Sequence, residues 1–263
     1  MLLAALALAG LTAGEPLPLP DGNAFVLTLV EKQKRREGAL NNYTSDVEQL
    51  LEQMDAGGAV TSRTVERFEV FYVKGRPVRK RVAAGGRPLD RSEQEAEERR
   101  VRETVDEIGK DRAALDDPGL RLSAILQRYD FRTARREDLD GFPALVLEFN
   151  ARPGKRDLEG DVVLRSLAGR IWVDEAEAEV VRAEVRNTGA IKLALGLGAT
   201  VSGLGVTLDF RKVEDGLWLP ARVVAEAQAR LLLLKGFRGR STSIFSHYRR
   251  FEAASEEVIK KPE

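Results

Sequence analysis

The chain holds one histidine, His247, and no cysteine. These two counts remove most reactive chemistry. Thiol nucleophiles, disulfides and cysteine metal sites are excluded, and no His-rich metal centre can be assembled. His247 stands between Ser246 and Tyr248 in a strand-like run. A Ser-His-Asp relay would need it, but no Gly-x-Ser-x-Gly elbow occurs. The acidic pairs Asp116-Asp117 and Asp174-Glu175 fall in turn sequences, where backbone preference accounts for them. Gly196 to Val201 mimics part of a dinucleotide fingerprint, but no βαβ context follows. No loop carries oxygen ligands at calcium spacing. No catalytic residue, metal site or cofactor motif is expected, and composition and periodicity alone do not say what the protein does.

Lys and Arg number 42, and Asp and Glu also number 42. The zero net charge argues against a nucleic-acid partner, which selects a basic excess. Charged residues make up 32% of the chain, so they must coat a large surface or solvated helices. At 263 residues the chain suits one large β domain or two small ones.

Met1 to Gly14 is an apolar run ending in small residues, too short for a membrane span. It reads as a secretory signal, without the usual positive start. Membrane contact is then expected to be peripheral. No cysteine follows the run, which excludes a lipid anchor. Residues 15–22 read as a linker, 23–252 as a single domain with a charged helical insertion at about 89–127, and 253–263 as a charged tail. Asn23 to Gly38 is a helix candidate, with Asn23 as cap, Gly38 as stop, and Phe25, Leu29, Val26 and Val30 as its stripe. Leu89 to Arg112 is a second, mostly solvated helix with Val101, Val105 and Ile108 aligned. Leu120 to Gln127 reads as a short further helix.

The remainder alternates as strands. Phe68, Val70 and Tyr72 share one face of the run from Val60 to Val73. Leu145, Leu147 and Phe149 share a face after the Asp140-Gly141 turn. Residues 152–160 read as a loop, and Val162 to Leu164 as a short edge strand. Gly169 to Asn187 reads as a hairpin, in which Val181, Ala183 and Val185 alternate with Arg182, Glu184 and Arg186. Val206, Leu208 and Phe210 line one face of the next strand. Leu219, Ala221, Val223, Ala225, Ala227 and Ala229 line one face of the strand after Gly216. Such a run of small residues leaves volume above it, either filled by a helix or open as a cavity.

Gly169-Arg170-Ile171-Trp172-Val173-Asp174, followed by Val180 to Glu184, resembles a hairpin of the LolA/LolB-like outer-membrane lipoprotein-sorting superfamily. The resemblance runs on through Gly216-Leu217-Trp218-Leu219-Pro220 and Tyr248-Arg249-Arg250-Phe251. Upstream, Arg67 to Val70 and Gly86 to Leu89 look like a divergent branch. It implies a fold that is mainly β with helices: a strongly curved antiparallel sheet, a half-open barrel with helices over its concave face. It also implies a periplasmic carrier that shields the acyl chains of a lipid or acylated lipoprotein. The insertion at 89–127 departs from shorter carriers, so no lid residue is carried over.

On that reading the cavity wall comprises Phe68, Val70, Tyr72, Leu145, Leu147, Phe149, Trp172, Val181, Ala183, Val185, Val206, Leu208, Phe210, Ala221, Val223, Ala225, Ala227 and Ala229. The protein is expected to be a monomer. A second reading is an envelope sensor or interaction protein of the same fold, its interior filled by its own helices and its rim turned to a protein partner. A third, a hydrolase with an unrecognised site, has only His247 to support it.

Overall fold

The computed structural model describes residues 17–110, 126–127, 129–151, 161–193, 199–213, 216–231 and 236–250. The signal-like run, the charged tail, the 152–160 loop, Gly196 and Gly198, and most of the 120–127 helix candidate lie outside the described residues.

One antiparallel sheet organises the molecule. Its strands are β1 (Tyr43–Met54), β2 (Val60–Val73), β3 (Arg76–Ala84), β4 (Arg87–Pro88), β5 (Tyr129–Leu139), β6 (Phe142–Ala151), β7 (Leu167–Asp174), β8 (Glu179–Asn187), β9 (Ile191–Leu193), β10 (Ala199–Lys212), β11 (Trp218–Leu231) and β12 (Phe237–Arg250). The order is β4-β3-β2-β1-β12-β11-β10-β8-β7-β6-β5, with β9 on β10. The two ends do not pair, so the sheet is open. Val162 to Leu164, expected as a short edge strand, lies instead in a helical turn, α3 (Asp161–Arg165). Three apolar residues in a row, Val162 to Leu164, do not distinguish the two periods.

Helix α1 (Gly22–Ala39) lies on one face of the sheet. Its cap is Asp21, not Asn23: the Asp21 side chain accepts from the Ala24 N–H at 2.8 Å. Asn23 does other work, accepting from the Phe131 N–H of β5 at 2.9 Å. Gly22 presses so close to β5 that a Cβ there would stand 2.6 Å from the Phe131 carbonyl oxygen. Gly38 does not stop the helix, which passes into a 3-10 turn at Leu40–Asn42 and then into β1. Val26, Leu29, Val30, Gln33 and Arg36 form its buried stripe at helical spacing.

Curvature follows from what α1 touches. The Arg36 guanidinium lies 3.7 Å from Glu179 of β8 and 4.4 Å from the Phe210 ring of β10. It also feels the Tyr72 hydroxyl of β2 and the Tyr248 hydroxyl of β12. On a flat sheet β8 and β2 would be five strand spacings apart, about 24 Å. Arg36 lies within electrostatic range of strands from β8 to β2, in keeping with a sheet that curves around the helix.

The opposite, outer face carries much of the charge. Register sets opposite signs across neighbouring strands. Arg63, Glu52, Arg240 and Glu226 form one such row, linked at 3.0, 3.7 and 2.7 Å. Arg182 contacts Asp209 at 2.5 Å, and Arg170 contacts Glu184 at 2.7 Å. The alternation that buries one face thus places balanced charge on the other.

Helix α2 (Arg91–Gly109) is dense in charge, and its only buried residues are Glu97 and Ile108. Asp90 and Glu93 build a capping box at its start. The helix follows the outer edge of β3, where β4 pairs only Ala83 and Ala84. There the Glu97 carboxylate accepts from the Arg81 N–H at 2.7 Å, and Arg100 donates to the Arg79 carbonyl. Side chains of a helix thereby satisfy an edge that would otherwise invite another strand.

Candidate ligand-binding site

The face that holds α1 has two halves. In the first, formed by β5 to β8, Leu145, Leu147, Phe149, Ile171, Val173, Val180 and Ala183 join Val26, Leu29 and Val30 in one core. Leu145, Leu147 and Leu29 have no exposed surface. Gly169 lets β7 approach β8, since a Cβ there would stand 1.9 Å from the Glu184 carbonyl oxygen. This half is full.

The second half spans β10, β11, β12, β1 and β2. Cross-strand pairs set its floor: Val206 opposite Ala225, Leu208 opposite Val223, and Leu204 opposite Ala227. Ala225 and Ala227 face Ser241 and Gly239 of β12. These side chains are short, and Val206, Val223, Ala225 and Ala227 all remain partly exposed. Toward β1 and β2 the floor turns polar. Gln49 donates to Ser241 at 2.6 Å and accepts from Arg79 at 3.0 Å, while Arg79 lies 4.0 Å from the Phe68 ring. The apolar stripe is therefore about two strands wide. At the end away from α1 it meets a cleft of about 790 Å³, lined by Met54, Thr200, Ser202, Gln228, Ala229, Arg230, Phe237 and Arg238 among others. Phe237 at its rim is 49% exposed.

Of the residues expected to line a cavity, Leu145, Leu147, Phe149 and Ala183 lie in the filled half, with Val185 and Leu208 packed against the same core. Val206, Val223, Ala225, Ala227 and Ala229 share the face of the second half by register. Phe68 and Val70 pair with Val47 and Ser45 of β1, and Tyr72 follows two residues on. Trp172 and Val181 are elsewhere. They join Ala144, Val146 and Trp218 in a separate cluster. A bulge between Trp172 and Val173 sets Ala183 opposite Ile171 but Val180 opposite Val173, which turns Val181 away from Ala183. Strict alternation of Val181, Ala183 and Val185 therefore fails at its first member. Ala221 is likewise the extra residue of a bulge, since Arg222 pairs with Asp209 and Pro220 with Phe210.

Where the halves meet, the α1 stripe turns polar. Gln33 is fully buried and Arg36 is 5% exposed. Gln33 donates to Glu179 at 3.3 Å. Arg36 has Glu179 at 3.7 Å, longer than a hydrogen bond, and stacks over Phe210. Its Nη1 and the Gln33 Oε1 are buried without a hydrogen-bond partner among the described residues. Burial dominates the electrostatics. It pulls the Arg36 guanidinium down to about 10, against the pull of Glu179. It pushes the Glu179 carboxyl up, partly offset by Arg36 and Lys32. It pushes the Tyr72 hydroxyl up to about 12. Tyr248 is also raised by burial, and it donates to the Pro220 carbonyl at 2.7 Å. Sequence reading of α1 stopped at Val30. Continuing its period by three and six residues reaches Gln33 and Arg36, and two polar residues on an apolar stripe were the available signal.

His247 has its backbone in the left-handed region, at φ 47°. Its Nδ1 meets both Asp46, at 3.1 Å, and Ser246, at 3.3 Å. A relay needs the acid and the nucleophile on different ring nitrogens, and here they share one. Among the described residues no group of three or more His, Asp or Glu side chains is placed to hold a metal ion. No helix among them is long and apolar enough to cross a membrane.

No family model matches the chain, and no curated protein matches it. Among solved structures it is similar to a domain from Vibrio parahaemolyticus named for outer membrane lipoprotein sorting. That similarity has a TM-score of 0.42 and 13% identity over 88% of this chain and 94% of that one. A DUF1329 family protein from Desulfovibrio piger gives a TM-score of 0.42 and 13% identity, over 90% of this chain and 96% of that one. A LolA superfamily protein from Nitrosomonas europaea gives 0.36 and 12%, over 90% and 97%.

Proposed function

We propose that the protein is a non-enzymatic carrier that shields an acyl chain of a lipid or acylated lipoprotein along the second half of its helix-bearing face. The observation that supports this is the partly exposed stripe of Val206, Val223, Ala225 and Ala227, which lies outside the core that α1 seals among the described residues and runs toward the 790 Å³ cleft. Burying a methylene is worth ~0.8 kcal/mol, so about ten of them supply binding in the micromolar range without a specific polar contact. The apolar run at Met1 to Gly14 supports export, and hence a periplasmic site of action as a monomer making peripheral membrane contact.

The test is native mass spectrometry of the purified protein together with titration of a fluorescent acyl probe. Bound acyl ligand is expected in both. Ala227→Leu, which raises the floor of the stripe, is expected to weaken the probe by about ten-fold. Absence of any acyl binding to the wild-type protein sinks the proposal. The competing reading, an envelope interaction protein with a self-filled interior, draws on the packing of Leu29 and its neighbours against β5 to β8. It predicts a protein partner and no lipid in the same experiments.

A further inference from the structure

Resting on that reading, the structure assigns a head-group seat to Arg36 and Gln33, and we infer that its ligand is a single-chain fatty acid held by its carboxyl group. A guanidinium has five N–H donors and no acceptor, and burying it without hydrogen bonds is costly. Arg36 is 5% exposed, yet its Nη1 is buried without a hydrogen-bond partner among the described residues. Glu179 balances its charge at 3.7 Å and Phe210 covers one face. Charge is matched, and what is missing is an acceptor within hydrogen-bond reach.

A carboxylate supplies two acceptors in the plane that a guanidinium fork fits. Gln33 Oε1, also buried and unmatched, stands on the same helix stripe one turn earlier; as an acceptor it is satisfied only by a donor, such as the O–H of a protonated carboxyl. Burial raises the Glu179 carboxyl, so Glu179 is disposed to take the proton when a second carboxylate arrives beside it.

The position suits the tail as well. Arg36 covers Phe210, which pairs with Pro220 at the start of β11. The small-residue floor runs from there along β11 to Ala229, at the cleft, about nine residues or ~30 Å at strand spacing. The stripe is two strands wide, which accommodates one chain side by side with nothing else and not a bundle of three. A fatty acid lying head inward places its carboxyl at Arg36 and its tail toward Phe237.

The experiment compares palmitic acid with methyl palmitate, each delivered from cyclodextrin, by calorimetric titration of the full chain. The acid is expected to bind at least about ten-fold more tightly, the scale of a charge-assisted hydrogen bond. In Arg36→Gln the preference for acid over ester is expected to vanish. Equal affinity of acid and ester for the wild-type protein overturns the head-group seat and leaves the carrier reading standing. Failure of both ligands to bind overturns the two together. The wild-type comparison decides the matter even if Arg36→Gln does not fold.

Discussion

Leu145 and Ala225 occupy one face of one sheet, yet their surroundings are opposite. Leu145 is sealed beneath α1 with Val26, Leu29 and Val30, and Ala225 looks into partly open space between Val206 and Ser241. Strand alternation is the same in both places. The difference lies in side-chain size and in how far α1 extends. From β5 to β8 large aliphatic side chains meet a helix of matching stripe. From β10 to β12 alanines, serines and a glycine meet no helix among the described residues. Alternation thus determines which face is apolar, and cover determines whether that face becomes a core or a wall.

The comparison can be broken by substitution. Leu29→Ala removes a fully buried side chain from the filled half and is expected to cost about 3 kcal/mol in urea unfolding. Ala227→Leu, on the other half, is expected to change stability by less than about 1 kcal/mol, because space is available. If it costs as much as Leu29→Ala, the second half is closed and the contrast is lost.

Two glycines contrast the filled half with the outer face, where Gly205 stands opposite Arg186 and Glu226. Gly169→Ala drives a Cβ into the Glu184 carbonyl of the neighbouring strand, and thermal unfolding should report a loss of about 2–3 kcal/mol. At Gly205 no atom stands within 4 Å of an added Cβ. Gly205→Ala is therefore expected to lie within about 0.5 kcal/mol of the wild type.

Helix α2 belongs to neither half, and acid should separate it from both. Arg87, then the Asp90 N–H, hold the Glu93 carboxyl down to about 2 against an ordinary value of 4.5. A carboxyl held low stabilises at pH above its ordinary value, and that contribution fades as pH falls from there toward the lowered one. Amide protection across residues 91–109, taken relative to the intrinsic exchange rate at each pH, should therefore fall between about pH 4.5 and 2. Exchange around Leu145 should stay slow over the same range, and uniform loss of protection would place α2 in the same cooperative unit as the filled half.

Much of the sheet was legible because its strands alternate cleanly. Val60–Val73 was placed at both ends, and the charged face of β8 appeared directly in Arg182, Glu184 and Arg186. What escaped has a common cause: features set by a neighbouring strand or element and not by the local period. The bulge that moves Val181 depends on Trp172 and Val173 across the pair. The role of Asn23 depends on β5, 108 residues away in sequence. The seat at Gln33 and Arg36 became visible only when a curved sheet brought β2, β8, β10 and β12 around one helix end.

The rows of alternating charge on the outer face have a kinetic consequence. Arg63, Glu52, Arg240 and Glu226 cancel one another within a few ångströms, well inside a Debye length of about 8–10 Å. Those side chains project little field into solvent, so that surface neither draws a charged partner from a distance nor repels it. Encounters through it proceed at an unsteered diffusive rate that varies little with ionic strength, and discrimination among collisions falls to short-range contact.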